Sequence, residues 1–121
     1  MQESYLTEFD CQKLLKSLRD AQKWNLKGIK EVLLTKNAES GIAAYRQALV
    51  CNLNHWPAAF NLAACLESIG RLTAAVKWLK RCLDKENRYV PCYIALCNCY
   101  LRLGKYEEAE KMMDVGYNMM E

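Results

Sequence analysis

Sliding the 121-residue sequence along itself by 34 positions brings Pro57 onto Pro91, Leu62 onto Leu96, Cys65 onto Cys99, Gly70 onto Gly104 and Ala75 onto Ala109, with no gap. Similar side chains fill the intervals: Leu66 meets Tyr100, Arg71 meets Lys105, Leu72 meets Tyr106 and Leu79 meets Met113. A fixed period constrains the architecture more than any local propensity, because each unit must bury the same face against its neighbour.

Each unit reads as a pair of helices. Pro57 and Pro91 stand where a first helical turn needs no N–H, so each opens a helix. Apolar or small residues at 59, 62, 63 and 66, and again at 93, 96, 97 and 100, follow the i, i+3, i+4, i+7 rhythm of a buried stripe. Gly70 and Gly104 fall where a left-handed residue ends a helix. Ala75, Leu79 and Cys82, then Ala109, Met113 and Gly116, supply second helices whose small residues permit close approach.

This pattern resembles the tetratricopeptide repeat, a helix–turn–helix unit of matching length with small and aromatic residues at fixed offsets. In the third unit Tyr93, Leu96, Cys97, Tyr100, Gly104, Tyr106, Ala109 and Met113 stand at the matching places, cysteine replacing the usual small residue. In the second they are Ala59, Leu62, Ala63, Leu66, Gly70, Ala75, Leu79 and Cys82. Asn87 replaces the proline common in the turn between repeats. The resemblance spans residues 22–121 and implies an all-α fold, a right-handed α-α superhelix with repeats at 22–55, 56–89 and 90–121.

The first unit is less regular. Gly41, Tyr45 and Ala48 lie one period before Ala75, Leu79 and Cys82, so Ser40 to Asn52 is expected to form its second helix. Trp24 and Gly28 have the family's tryptophan-to-glycine spacing but come one residue early, and an extra residue near Lys36 and Asn37 is expected to reconcile the registers. Residues 1–21 precede the array. There Thr7 is a candidate N-cap, and Phe9, Leu14, Leu15 and Leu18 are expected to make an amphipathic helix that packs on the first repeat as an N-terminal cap. At the other end Met112, Met113, Tyr117, Met119 and Met120 put apolar side chains on more than one face of the last helix, and no cap-like segment follows them in the sequence. That surface is expected to meet a partner, a second copy or further repeats.

Composition agrees with one folded domain: 52% hydrophobic and 26% charged residues, with two prolines, argue against a disordered or collagen-like chain. The net charge of +3 demands neither nucleic acid nor an anionic membrane, but it is unevenly spread, +6 over residues 68–106 and −4 over 107–121. The uncharged stretch from Gln47 to Leu66 is as long as a membrane span, yet Asn52, Asn54, His55, Pro57 and Asn61 make insertion too costly. Seven cysteines in mostly apolar helical sequence, without a basic-then-apolar leader, point to reduced thiols and an intracellular, cytoplasmic setting. Cys97 and Cys99, two apart on a helix, point in nearly opposite directions and cannot easily share a metal ion.

No constellation points to catalysis. The single histidine, His55, sits in a turn beside Trp56 without an evident nucleophile to serve, and is read as structural. There is no glycine-rich phosphate loop, His-Glu-x-x-His or paired-cysteine zinc motif, and Glu107 and Glu108 suit a helix N-terminus through its dipole. No cofactor or metal is expected. Lys77, Lys80, Arg81, Lys85 and Arg88 form a basic stripe beside Trp78, which offers an RNA-binding alternative. Asp84 interrupts that stripe, and such stripes are ordinarily solvated helix faces.

The resemblance further implies a concave groove lined by the first helix of every repeat. Its positions are Phe60, Asn61, Ala64, Glu67 and Ser68 in the second repeat and Ile94, Ala95, Asn98, Leu101 and Arg102 in the third; the first offers Leu26, Ile29, Lys30 and Leu33. Family members that hold the acidic tails of heat-shock chaperones use a clamp of lysines, asparagines and an arginine. Here only Asn61 and Asn98 occupy comparable places, while Pro91 and Ala95 stand where the third repeat would supply lysine and arginine. A mostly apolar groove with a few amides suits an amphipathic helix or an extended apolar segment instead. The expected function is a non-catalytic protein-interaction scaffold, or a module of a larger assembly. Its competitors are a homo-oligomer joined through the last helix and the RNA binder.

Overall fold

The computed structural model describes residues 7–120. Six α-helices follow one another: α1 (Glu8–Thr35), α2 (Ile42–Cys51), α3 (Trp56–Ser68), α4 (Leu72–Lys85), α5 (Val90–Arg102) and α6 (Tyr106–Met119). A short 3₁₀ segment at Ala38–Gly41 leads into α2. Helices pair in sequence, α1 with α2, α3 with α4 and α5 with α6, and α2 packs on α3 as α4 packs on α5. Three helix pairs therefore stack into one all-α superhelical array.

The turns within pairs explain the period. Gly70 and Gly104 are left-handed, with φ of 83° and 76°. Behind Gly70, the Arg71 N–H donates to the Leu66 carbonyl at 2.9 Å and the Gly70 N–H to that of Glu67 at 3.0 Å. Behind Gly104, Lys105 donates to Tyr100 at 2.8 Å and Gly104 to Leu101 at 3.1 Å. Both are Schellman closures, which satisfy the free carbonyls of a helix end and turn the chain back. The first repeat turns at Lys36, one period before Gly70 and the only left-handed non-glycine residue described, at φ 53°, with a single bond from its N–H to the Val32 carbonyl at 2.8 Å. Between pairs, Pro57 and Pro91 occupy the first turns of α3 and α5. Asn87, in place of the proline, is held by its backbone: the Tyr93 hydroxyl donates to its carbonyl at 2.6 Å.

The core is continuous through the array. Leu62, Leu66, Leu79, Cys82, Cys92, Leu96 and Cys99 are its largest fully buried side chains, with Ala48, Ala58, Ala75 and Ala109 at the close helix approaches.

Three expectations about the N-terminal third are corrected. Residues 8–21 do not form a helix of their own, because α1 runs unbroken through position 22 into the first repeat. Nothing between Glu8 and Thr35 stops a helix: there is no proline, and leucine and lysine are the commonest residues. Thr7 caps it as expected, its Oγ1 accepting from the Asp10 N–H at 3.1 Å while Asp10 accepts from the Thr7 N–H at 3.2 Å. Leu14, Leu15 and Leu18 are not packed on the first repeat; they are exposed on a helix that projects beyond it. No extra residue is inserted at Lys36 and Asn37 either. Asn25 and Gly28 are buried one period before Ala59 and Leu62, so all three repeats share one register and Trp24 is only half-buried. The second helix of this repeat is also shorter than Ser40 to Asn52, its first turn being 3₁₀. Residues 1–6 and Glu121, the latter part of the expected third repeat, lie outside the described residues.

Candidate functional site

The expected groove positions fall on α1, α3 and α5, the first helices of the three pairs, in equivalent sets one period apart. One row is Leu26, Phe60 and Ile94, a second is Leu33, Glu67 and Leu101, and Lys30, Ala64 and Asn98 lie between them. Leu26 and Ile94 are each 55% exposed, Leu33 70% and Leu101 44%. Between α1 and α3 the rows border a cleft of about 300 Å³ lined by Ile29, Leu33, Asn61, Ala64, Cys65 and Ser68, among others.

Several of these residues are already engaged within the chain. Asn61 donates its side-chain amide to Asn25 Oδ1 at 2.9 Å, and Asn25 is the one buried polar residue described. Arg102 donates to the Glu67 carbonyl at 3.2 Å and lies 3.9 Å from its carboxylate. Phe60 is half-buried, edge-on to Tyr89 at 5.0 Å between centroids, and Trp56 meets the same ring at 4.9 Å. Ile29 and Ala95 are half-buried against the core, which makes them packing residues as much as groove residues. The Asn61–Asn25 and Arg102–Glu67 contacts bridge neighbouring repeats. Sequence reasoning missed Asn25 and Tyr89; an isolated asparagine on an apolar stripe was the available signal for the first.

A second cleft, of about 230 Å³, opens between α5 and α6. Tyr93, Ile94, Cys97, Met112, Met113, Tyr117 and Met120 line it, so Ile94 belongs to both surfaces. Met112 is half-buried on the core and Met119 lies outside the cleft, whereas Met113 and Tyr117 are 57% and 65% exposed.

Burial pushes the thiol of Cys99 up to about 11 and also raises that of Cys65, so both stay protonated. Cys92 and Cys82, 3.0 Å apart between sulfurs, share a thiol contact in the dry core, and Cys92 is raised far above the ordinary thiol range by it and by burial. Among the described residues no three His, Cys, Asp or Glu side chains are grouped to hold a metal, and no helix is long and apolar enough to cross a membrane. On α4, Trp78 is half-buried and Arg81 stands 5.8 Å from its ring centroid, so the ring beside the basic stripe is engaged by the chain's own cation.

His55 precedes α3, its carbonyl accepting from Ala58 at 3.1 Å and Ala59 at 3.3 Å, while its Nε2 is buried without a partner. Burial lowers its pKa, since desolvation penalises the charged ring. The unfolded chain, with an ordinary histidine pKa of about 6.5, then binds the extra proton first. Stability should therefore be flat above that value and fall as the pH drops through and below it. Urea midpoints measured between pH 8 and 5 should show this slope, and His55→Gln should flatten it; an unchanged slope in the variant would assign the effect to other groups.

A sequence model of the family described as tetratricopeptide repeat matches residues 70–116, from the Gly70 turn to the cleft wall at Gly116. Over that segment the sequence is tetratricopeptide repeat (TPR). No curated protein matches the chain by sequence. Among solved structures it is similar to the second TPR domain of Spaghetti (RPAP3) bound to the HSP90 peptide SRMEEVD, with a TM-score of 0.83 and 15% identity over 89% of this chain and 98% of that one. It is also similar to the TPR2B domain of yeast Sti1 in its pHsp70 complex, with a TM-score of 0.77 and 19% identity over 84% and 80%. A third is the type III secretion translocator chaperone SycD of Yersinia enterocolitica, at 0.77 and 13% identity over 84% and 76%. At such identities the likeness is one of TPR fold.

Proposed function

We propose that this chain is a non-catalytic TPR scaffold, intracellular and cytoplasmic, that holds a partner polypeptide in its concave groove. The observation that carries this is the pair of apolar rows that hold Leu26 and Ile94, and Leu33 and Leu101, exposed on the first helices of the first and third repeats, with Ala64 open between them. Two of the neighbouring polar groups are engaged within the chain: Asn61 with Asn25, and Arg102 with Glu67. An apolar strip whose Asn61 and Arg102 are engaged within the chain, with Lys30 and Asn98 exposed between its rows, favours an amphipathic helix or an extended apolar segment.

The RPAP3 and Sti1 domains carry chaperone peptides in their structures, which supports peptide holding as the use of this fold. An acidic tail is a poorer match here. Pro91 and Ala95 stand where the clamp cations are expected, and one amide N–H of Asn61 is already donated to Asn25.

Leu33 and Leu101 make the cleaner test, because Ile94 also borders the α5–α6 cleft and Phe60 is packed on Tyr89. Partners captured by the wild-type chain and purified should bind Leu33→Glu with Leu101→Glu at least tenfold more weakly, with helical circular dichroism unchanged. Equal binding would remove the groove from the account. A second reading, self-association through α6, is favoured by the exposure of Met113 and Tyr117 beside an unfilled apolar cleft.

A further inference from the structure

We infer that the α5–α6 cleft seats the N-terminal half of α1 from a second copy of this chain, an inference that rests on self-association through α6. The repeat itself says what kind of object the cleft accepts. Met113, Gly116 and Tyr117 stand one period after Leu79, Cys82 and Leu83. Leu79 and Cys82 lie buried where α5 packs on α4, the Cys92 sulfur 3.0 Å from that of Cys82 and 3.9 Å from the Leu79 carbonyl. The equivalent surface of the third repeat therefore fits a helix laid along it as α5 lies along α4.

The chain carries such a helix. α3 and α5 have 13 residues each, whereas α1 has 28 and begins 14 residues before the position equivalent to Trp56. That projection is about 20 Å long, the length of the 14-residue α6. Where α5 faces its neighbours with Cys92, Ala95, Leu96 and Cys99, the projection presents Cys11, Leu14, Leu15 and Leu18 at the same i, i+3, i+4, i+7 spacing. All four are exposed.

Charge adds to the fit. Residues 8–21 of the projection contain Lys13, Lys16 and Arg19 and, against them, Glu8, Asp10 and Asp20, of which Asp10 is held in the Thr7 cap; residues 106–114 of α6 contain Glu107, Glu108, Glu110 and Asp114 against one lysine, a net −3. Lys16 is partly answered by Asp20 at 2.8 Å, leaving Lys13 and Arg19 as the free cations of the pair. The contact is heterologous, a tail of one copy on the head of another, so it extends from copy to copy instead of ending at a symmetric dimer.

Sedimentation velocity of the 121-residue chain tests this with substitutions confined to exposed residues. The wild type should associate with concentration, and less at high salt. Lys13→Glu with Arg19→Glu, and separately Glu110→Lys with Asp114→Lys, should each weaken association at least tenfold with unchanged helical circular dichroism. Mixing the two reversed variants should restore association, since each then offers a surface complementary to the other. A wild type that stays monomeric overturns both this inference and self-association. Association lost on Met113→Lys with Tyr117→Lys but indifferent to the α1 variant and to mixing leaves self-association standing and removes α1 as the occupant.

Discussion

Truncating Leu62 to alanine is expected to lower the unfolding free energy by about 2–5 kcal/mol, a large part of the roughly 5–15 kcal/mol available to a domain of this size. Leu62 has no exposed surface and lies mid-way along α3. α3 packs against α4 and α2 and also reaches α1 and α5. A cavity there weakens contacts in both directions along a stack whose stability is a sum of repeat and nearest-neighbour terms. The thermal midpoint should fall by roughly 10–20 °C, and the whole array should melt together because so few repeats cannot stand apart. Leu101→Ala, on a side chain 44% exposed, should shift it far less. Comparable losses at the two sites would show that Leu101 is core and that the groove assignment is mistaken.

How much of this was legible depended on where structure is specified locally. Pro57, Pro91, Gly70 and Gly104 act on the backbone at their own positions, so the repeat period exposes the second and third helix pairs directly. Ala75 and Ala109, fully buried at helix approaches, are legible for the same reason. The groove rows follow from that register, and Leu26, Leu33, Ile94 and Leu101, all exposed, lie on them.

The first repeat was harder because its register is decided between residues far apart in sequence. A template weights the Trp24-to-Gly28 spacing, yet the register is set by a ring at Tyr45 that needs a glycine opposite it. The unbroken α1 was hidden by a change of partner and not of conformation. Leu14 and Leu18 continue the stripe of Ala21, Asn25 and Gly28, but α2 is only ten residues long and covers the later part alone. The Asn25–Asn61 and Arg102–Glu67 links join residues 36 and 35 apart, about one repeat, and nothing in either local segment announces its mate.

Gly28→Ala is expected to destabilise the first repeat by about 1–3 kcal/mol, although alanine in place of a mid-helix glycine ordinarily stabilises by about 1 kcal/mol. A methyl on Gly28 would stand 2.5 Å from Tyr45 Cε1 and 2.7 Å from Cδ1, and one on Gly41 would stand 2.9 Å from Cε2 of the same ring. The ring is thus held between two glycines and, at 3% exposure, has little room to step aside. The other repeats solve the same packing problem with leucine at 62 opposite Leu79, and with leucine at 96 opposite Met113. Here the volume has moved from one helix to the other, a larger residue on α2 answered by none on α1. Tyr45→Leu should therefore relieve Gly28→Ala, the double variant being more stable than the sum of the single losses by about 0.5–3 kcal/mol. Denaturation midpoints of the four proteins give that coupling, and strict additivity would mean that glycine and ring do not compete for the same space.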